Sequence, residues 1–145
     1  MSFSQGQCTV FKTNLLKGLE NFNTGTPYVY KIALYTGLAT LNNSTTAYTT
    51  TNEVVGTGYT AGGNTLTVSQ IPVGDTASNT AYISFSNTSW TSANFTAAGA
   101  LIYNSTTGAA VAVLDFGGSK VPNAAGVFTV TFPTATATTA ILSIS

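Results

Sequence analysis

The chain has 145 residues, of which 43% are hydrophobic and only 6% are charged. Four lysines balance four acidic residues, so the net charge is zero. A nucleic-acid-binding protein needs a cationic surface to displace counterions from phosphates, and this composition excludes one. The longest apolar runs fall far below the ~20 residues that cross a bilayer, and residues 1–7 lack the features of a secretory signal. We therefore expect no nucleic-acid or membrane partner and synthesis in a reducing cytoplasm.

One helical pattern occupies residues 7–22. Apolar side chains recur there at spacings of three and four, which places them on one stripe of a helix. The stripe comprises Cys8, Phe11, Leu15, Leu19 and Phe22. The pattern predicts an amphipathic N-terminal helix, and the short polar segment 1–7 before it predicts a flexible N-terminal arm.

Short segments rich in β-branched and aromatic residues follow Pro27. They predict strands, separated by a loop or an extended edge at 40–51 and by loops at 72–79, 87–94 and 116–126. The predicted strands are 28–35, 65–68, 80–85, 99–103, 109–115, 127–132 and 139–145. Regularly spaced short strands predict a mainly β chain, arranged as an antiparallel β-sandwich of about seven or eight strands behind the helix. We expect residues 1–145 to form a single domain.

The residues that carry most enzyme chemistry are scarce. The chain has no histidine, which removes the commonest general base and metal ligand. The lone Cys8 lies on the apolar stripe and is predicted to be a buried structural thiol. A glycosidase would need a pair of carboxylates in one cleft, and only convergence of Glu53, Asp75 and Asp115 would supply it. We therefore predict no enzyme, and no catalytic, cofactor-binding or metal-binding residues.

Several apolar and aromatic residues are candidates for contact with a partner. Phe11 and Leu15 suit either the core of the chain or an interface, because an amphipathic helix can bury its stripe in both ways. The aromatic residues outside the helix suit a shallow recognition surface. The predicted interface comprises Phe3, Phe11, Leu15, Tyr48, Tyr59 and Trp90.

Three blocks of sequence resemble a widespread group of small virion structural proteins of tailed bacteriophages. The blocks are residues 11–18 with 31–36, residues 46–49 with 52–63, and residues 100–104 with 112–118 and 128–133. The resemblance implies a structural role in a virion assembled in the bacterial host cytoplasm, as a capsid cement or decoration protein. The expected partners are the major capsid protein and further copies of this chain, as a trimer. The alternative role is a tail or baseplate module that recognises the host surface.

Overall fold

The computed structural model describes residues 2–145 and is mainly β, with one short helix. This confirms the predicted fold class at that level. The elements in chain order are β1 Ser2–Phe3, β2 Gly6–Gln7, α1 Thr9–Leu16, β3 Tyr30–Tyr35, β4 Thr40–Leu41, β5 Asn64–Thr65, β6 Val68–Asp75, β7 Thr80–Phe85, β8 Thr88–Trp90, β9 Ala97–Asn104, β10 Ala110–Lys120, β11 Phe128–Val130 and β12 Leu142–Ile144.

The strands form several separate sheets, nearly all antiparallel. The largest has five strands in the order β2-β10-β9-β3-β5, and every residue of its central strand β9 is buried. A three-stranded sheet has the order β12-β7-β6, and β11 pairs with β8 in an antiparallel ribbon. The pair β1–β4 is parallel. The extended strands 30–35 and 97–104 therefore form the centre of the molecule.

The prediction of a flexible arm at residues 1–7 is wrong for residues 2–7, which the structure describes. Met1 lies outside the described residues. Ser2–Phe3 pairs with β4, and Gly6–Gln7 pairs with β10. The Phe3 ring lies directly over Gly99, where a Cβ atom would approach the ring to 2.5 Å. Backbone pairing and this aromatic contact hold the segment on the body of the chain.

The predicted helix at residues 7–22 is too long, because α1 spans only Thr9–Leu16. Gly18 ends it in a left-handed conformation with φ of +72°. The Gly18 N–H donates to the Leu15 carbonyl and the Leu19 N–H to the Asn14 carbonyl, which is a Schellman motif. Phe22 still reaches the core, but from an irregular segment rather than from the helix.

The segment 40–51, predicted as a loop or an extended edge, begins with β4, and three predicted loops also contain strand residues. The predicted turn 72–79 begins inside β6, the predicted loop 87–94 contains β8, and the predicted link 116–126 begins inside β10. Pairing with neighbouring strands extends each segment despite its turn-forming residues. In β10 the extension includes a register shift between Asp115 and Lys120, where Gly117 and Gly118 have positive φ. The predicted strand 80–85, in contrast, is confirmed at both ends.

One cluster of buried side chains joins the helix to the sheets and extends from Cys8 to Leu142. Aromatic contacts contribute to it: the Phe22 and Tyr30 rings stack with centroids 4.3 Å apart, and Phe95 lies 5.2 Å from Phe128. Aromatic pairs in such geometry each stabilise by about 0.5–1.5 kcal/mol beyond the effect of burial. Within residues 2–145, no helix is long and apolar enough to cross a membrane.

Candidate functional site

The six predicted interface residues are not exposed side chains. Phe11 and Trp90 belong to the core, with exposed fractions of 2% and 4%. The prediction that these two residues lie on the surface of the folded chain is therefore wrong. The other four (Phe3, Leu15, Tyr48 and Tyr59) are half-buried and pack against the core.

The three acidic residues that a glycosidase would need do not share a cleft. Glu53 is bridged to Tyr35, Tyr35 pairs with Gly99, and Gly99 pairs with Asp115. Three strand spacings of about 4.8 Å put roughly 14 Å between the backbones of Glu53 and Asp115. Asp75 lies at the β6–β7 turn, where it accepts hydrogen bonds from Ala77 and Ser78. Glu53 and Asp115 therefore do not form the close carboxylate pair that the glycosidase alternative requires.

Glu53 is instead the centre of a buried hydrogen-bond cluster. Its Oε1 accepts bonds from the Tyr59 hydroxyl and the Gly62 N–H, and its Oε2 accepts one from the Tyr48 hydroxyl, all at 2.7 Å. The Tyr59 hydroxyl also accepts a bond from the Leu34 N–H of β3 at 2.9 Å. Tyr103 of β9 donates to the Gly62 carbonyl at 2.7 Å. The carboxylate thereby fixes the irregular segment 48–62 against the central strands.

The same cluster suppresses ionisation of its tyrosines. Burial raises the pKa of Tyr59 and Tyr48 well above the ordinary value, and the hydrogen bonds to Glu53 raise it further. A tyrosine that stays neutral keeps its hydroxyl hydrogen and can donate a hydrogen bond to Glu53. The chemistry of the cluster is therefore structural: it keeps a buried acceptor saturated with donors.

Glu20 forms a second buried cluster, which the sequence did not reveal. Its Oε2 accepts a bond of 2.7 Å from the Tyr30 hydroxyl and one of 3.0 Å from the Asn104 amide, whereas Oε1 is buried without a partner. Burial raises the pKa of Glu20, although the Tyr30, Asn104 and Asn14 side chains favour the charged form. The one signal in the sequence is the polar Asn104 at the end of an apolar strand.

A groove of about 600 Å³ lies between the far end of β10 and strand β11. Core side chains form its floor, and a single acid and a single lysine lie along it. The residues that define the groove are Leu114, Asp115, Phe116, Lys120, Val121, Val127, Phe128, Thr129 and Phe132. The Gly117–Gly118 bulge breaks the regular edge of β10 beside this groove.

Large aliphatic side chains are exposed on the surface of the chain. Leu16 and Val55 have exposed fractions of 91% and 93%, and Leu38 and Val121 are also largely exposed. Isolated exposed aliphatics are common, but on a surface with so few charges they raise the tendency to associate. The predicted interface consists of five aromatic residues and Leu15 and does not include these exposed aliphatic residues, because exposure depends on the fold.

Within the described residues, no group of three or more cysteine, aspartate or glutamate side chains could hold a metal ion. Comparisons of the chain with known protein families, with characterised proteins and with solved structures found no match.

Proposed function

We propose that this chain is a non-enzymatic structural protein of a tailed-bacteriophage virion, a capsid cement or decoration protein that binds between major capsid subunits. The supporting observation is a nearly uncharged surface that exposes Leu16, Leu38, Val55 and Val121. Such a surface gains from contact with a neighbour and has little charge repulsion to overcome. The three sequence blocks that resemble virion proteins support the same role.

The proposal includes a two-layer sandwich with the five-stranded sheet as one layer. β7 and β8 follow each other with only Ser86 and Asn87 between them. β12 pairs with β7, β11 pairs with β8, and the Phe132 N–H donates to the Asn87 side chain. These contacts favour one composite second layer, with β6 on one side of β7–β8 and β12 and β11 on the other.

A cement protein stabilises a shell by mass action, because it binds the assembled form and not the free subunits. The contacts of an uncharged face depend little on ionic strength. The test is co-sedimentation of the purified chain with capsids that lack it, over a salt range up to about 1 M, where the Debye length is about 3 Å. We expect binding to persist. Release at moderate salt would show that charge holds the protein and would contradict the mechanism.

Single-charge variants locate the binding face. Leu16→Asp, Leu38→Asp, Val55→Asp and Val121→Asp each place a charge at an exposed position, so the fold is expected to tolerate them. We expect at least one to abolish co-sedimentation, whereas the matched control Thr138→Asp leaves it intact. Capsid binding retained by all four variants would contradict a role for the exposed aliphatics.

The second candidate is the tail or baseplate module. Copy number separates the two roles: a shell protein is present in hundreds of copies, whereas a tail ring contains about six to eighteen, because it closes by rotational symmetry. Half-burial of Tyr48 and Tyr59 and full burial of Trp90 leave little exposed aromatic surface for host recognition, which favours the shell.

A further inference from the structure

The groove between the far end of β10 and β11 lies where one side of the chain lacks a strand. Farther along that side β2 occupies the equivalent position, because it pairs with β10 and the Gln7 side chain donates to the Ser143 carbonyl of β12 at 2.7 Å. The residues before Gly6 leave β10, and β1 pairs with β4 instead. The Gln5 side chain takes the place of a strand by accepting a hydrogen bond of 3.0 Å from the Asp115 N–H. The groove therefore continues the position of β2.

The edge of β11 that borders the groove carries unpaired backbone groups. Successive residues of a strand direct their N–H and C=O groups to opposite sides. β11 pairs with β8 on one side, where the Phe132 N–H also donates to the residue that precedes β8. Val127 exchanges hydrogen bonds with Asn123 on the opposite side. The backbone groups of Thr129 and Thr131 therefore face the groove, where no described residue bonds them.

The groove offers an apolar floor and two opposite charges. The Phe116 and Phe128 rings lie on its floor with centroids 6.1 Å apart. Lys120 lies at the end where β11 begins, since only the short segment 121–127 separates the two. Asp115 lies toward the other end, because its N–H donates to the segment that leads into β2. A chain with only four acids and four lysines thus places one of each along this groove.

We propose that an extended segment of a partner polypeptide binds in this groove as an added strand, antiparallel to β11. Its backbone pairs with Thr129 and Thr131, so its residue opposite Val130 points to the apolar floor and its residues opposite the threonines point to solvent. The bound segment therefore alternates apolar and polar residues. It carries a basic residue toward Asp115 and, farther along, an acidic residue toward Lys120. That the segment belongs to a capsid protein rests on the proposed function, whereas its chemistry does not.

The bulge in β10 makes β11 the pairing edge. Gly117 and Gly118 have positive φ there, and the register between β10 and β9 shifts beside them. Bulges of this kind protect a strand edge from pairing. The opposite wall then contributes side-chain contacts and the two charges, while β11 contributes the hydrogen bonds.

The test uses a synthetic peptide, Lys-Thr-Val-Thr-Val-Thr-Glu, acetylated and amidated so that its charges come from side chains alone. It is titrated into the purified chain at low ionic strength, and hydrogen exchange of the Thr129 and Thr131 amides is followed by NMR. We expect saturable binding with a dissociation constant below about 1 mM. At saturation, exchange of both amides is expected to slow at least fivefold, because each N–H gains a carbonyl acceptor.

Two further peptides separate the backbone from the charges. N-methylation of the central threonine removes one strand donor and is expected to weaken binding at least tenfold. Exchange of the terminal lysine and glutamate turns both charge contacts repulsive and is expected to weaken binding about threefold or more, a modest loss because exposed ion pairs are weak.

Variants of the chain provide matched controls. Lys120→Glu is expected to abolish the preference between the two charge arrangements, whereas Lys17→Glu, at an exposed lysine of the helix end, is expected to preserve it. Both replace exposed side chains, so the fold is expected to tolerate them. The N-methylated peptide tests the β11 edge without any change to the protein.

Four results would overturn the inference. They are unchanged affinity of the N-methylated peptide, equal affinity for the two charge arrangements, no slowing of exchange at Thr129 and Thr131 up to about 2 mM peptide, or slowing that rises with protein concentration without peptide. The last result would assign the groove to a second copy of the chain. Because the experiment uses the isolated chain, its failure would leave the virion proposal standing, and failure of the capsid co-sedimentation would leave this site standing.

Discussion

Removing one hydroxyl from the Glu53 cluster gives a quantitative test of the hydrogen-bond network. Tyr48 and Tyr59 both donate to this carboxylate at 2.7 Å, so Tyr48→Phe and Tyr59→Phe delete the same kind of bond. The two hydroxyls differ in one respect: that of Tyr59 also accepts the N–H of fully buried Leu34. The comparison therefore isolates the cost of an unpaired backbone N–H.

The expected magnitudes follow from these contacts. Loss of a hydrogen bond to a charged acceptor costs about 1.5–3 kcal/mol, and leaving a buried N–H unpaired costs about 1–3 kcal/mol more. Tyr48→Phe should thus lower the free energy of unfolding by about 1.5–3 kcal/mol. Tyr59→Phe should lower it by about 2.5–6 kcal/mol, because both contributions apply.

Equilibrium unfolding in urea measures the difference, with an unchanged dependence on denaturant as the sign that only stability has changed. Tyr82→Phe is the control, since its hydroxyl makes no hydrogen bond within the described residues and should cost less than about 0.5 kcal/mol. Equal losses for Tyr48→Phe and Tyr59→Phe would refute the reasoning, because they would show that the Leu34 N–H does not depend on Tyr59.

Further outcomes follow from other residues. Gly63→Ala should prevent stable folding, because its Cβ would overlap the Ile32 carbonyl oxygen at a φ of +73°. Gly18 has a similar φ but open space around it, so Gly18→Ala should lower the free energy of unfolding in urea by only about 1–2 kcal/mol. Equal losses of stability for the two variants would contradict this reasoning. Because burial raises the folded-state pKa of Glu20, its contribution to stability is full below the unfolded pKa and declines as pH rises through the folded pKa. Glu20→Gln should remove that decline in urea midpoints measured from acid to neutral pH, and an unchanged pH profile would contradict the assignment. Burial raises the pKa of the Cys8 thiol to about 11, so iodoacetamide at pH 8 should label it slowly in the folded chain and rapidly in urea, and fast labelling of the folded chain would show an exposed thiol.

The sequence predicted a mainly β chain because strand content depends on local pattern. Alternation in 80–85 and the short apolar run at 99–103 are typical of strands, and both are strands in the structure. The helix prediction was wrong at its C-terminal end. The apolar spacing continues past Gly18, but the helical backbone conformation ends before it. Lys17-Gly18 was a readable stop signal, since glycine after a basic residue is typical of a helix end.

Phe11 and Trp90 were wrongly predicted to lie on the surface for a different reason. An aromatic residue such as Trp90 has the same sequence signature in a core as on a binding surface, and only packing distinguishes the two. Sequence also separates Glu20 from Asn104 by 84 positions, so no local pattern could reveal that they share a hydrogen bond. The pairing of β3 with β9 brings Tyr30 opposite Asn104 and creates that site.

The sequence by itself determined the composition-level properties: a mainly β chain, almost without charge, lacking histidine. These follow from residue types and short-range periodicity. The tertiary structure alone decided which polar groups are buried, which aliphatic side chains remain exposed, and that Glu53 and Glu20 are buried acceptors of tyrosine hydrogen bonds. The physical reason is that burial and hydrogen bonding are properties of groups brought together by long-range strand pairing, which a linear pattern does not encode.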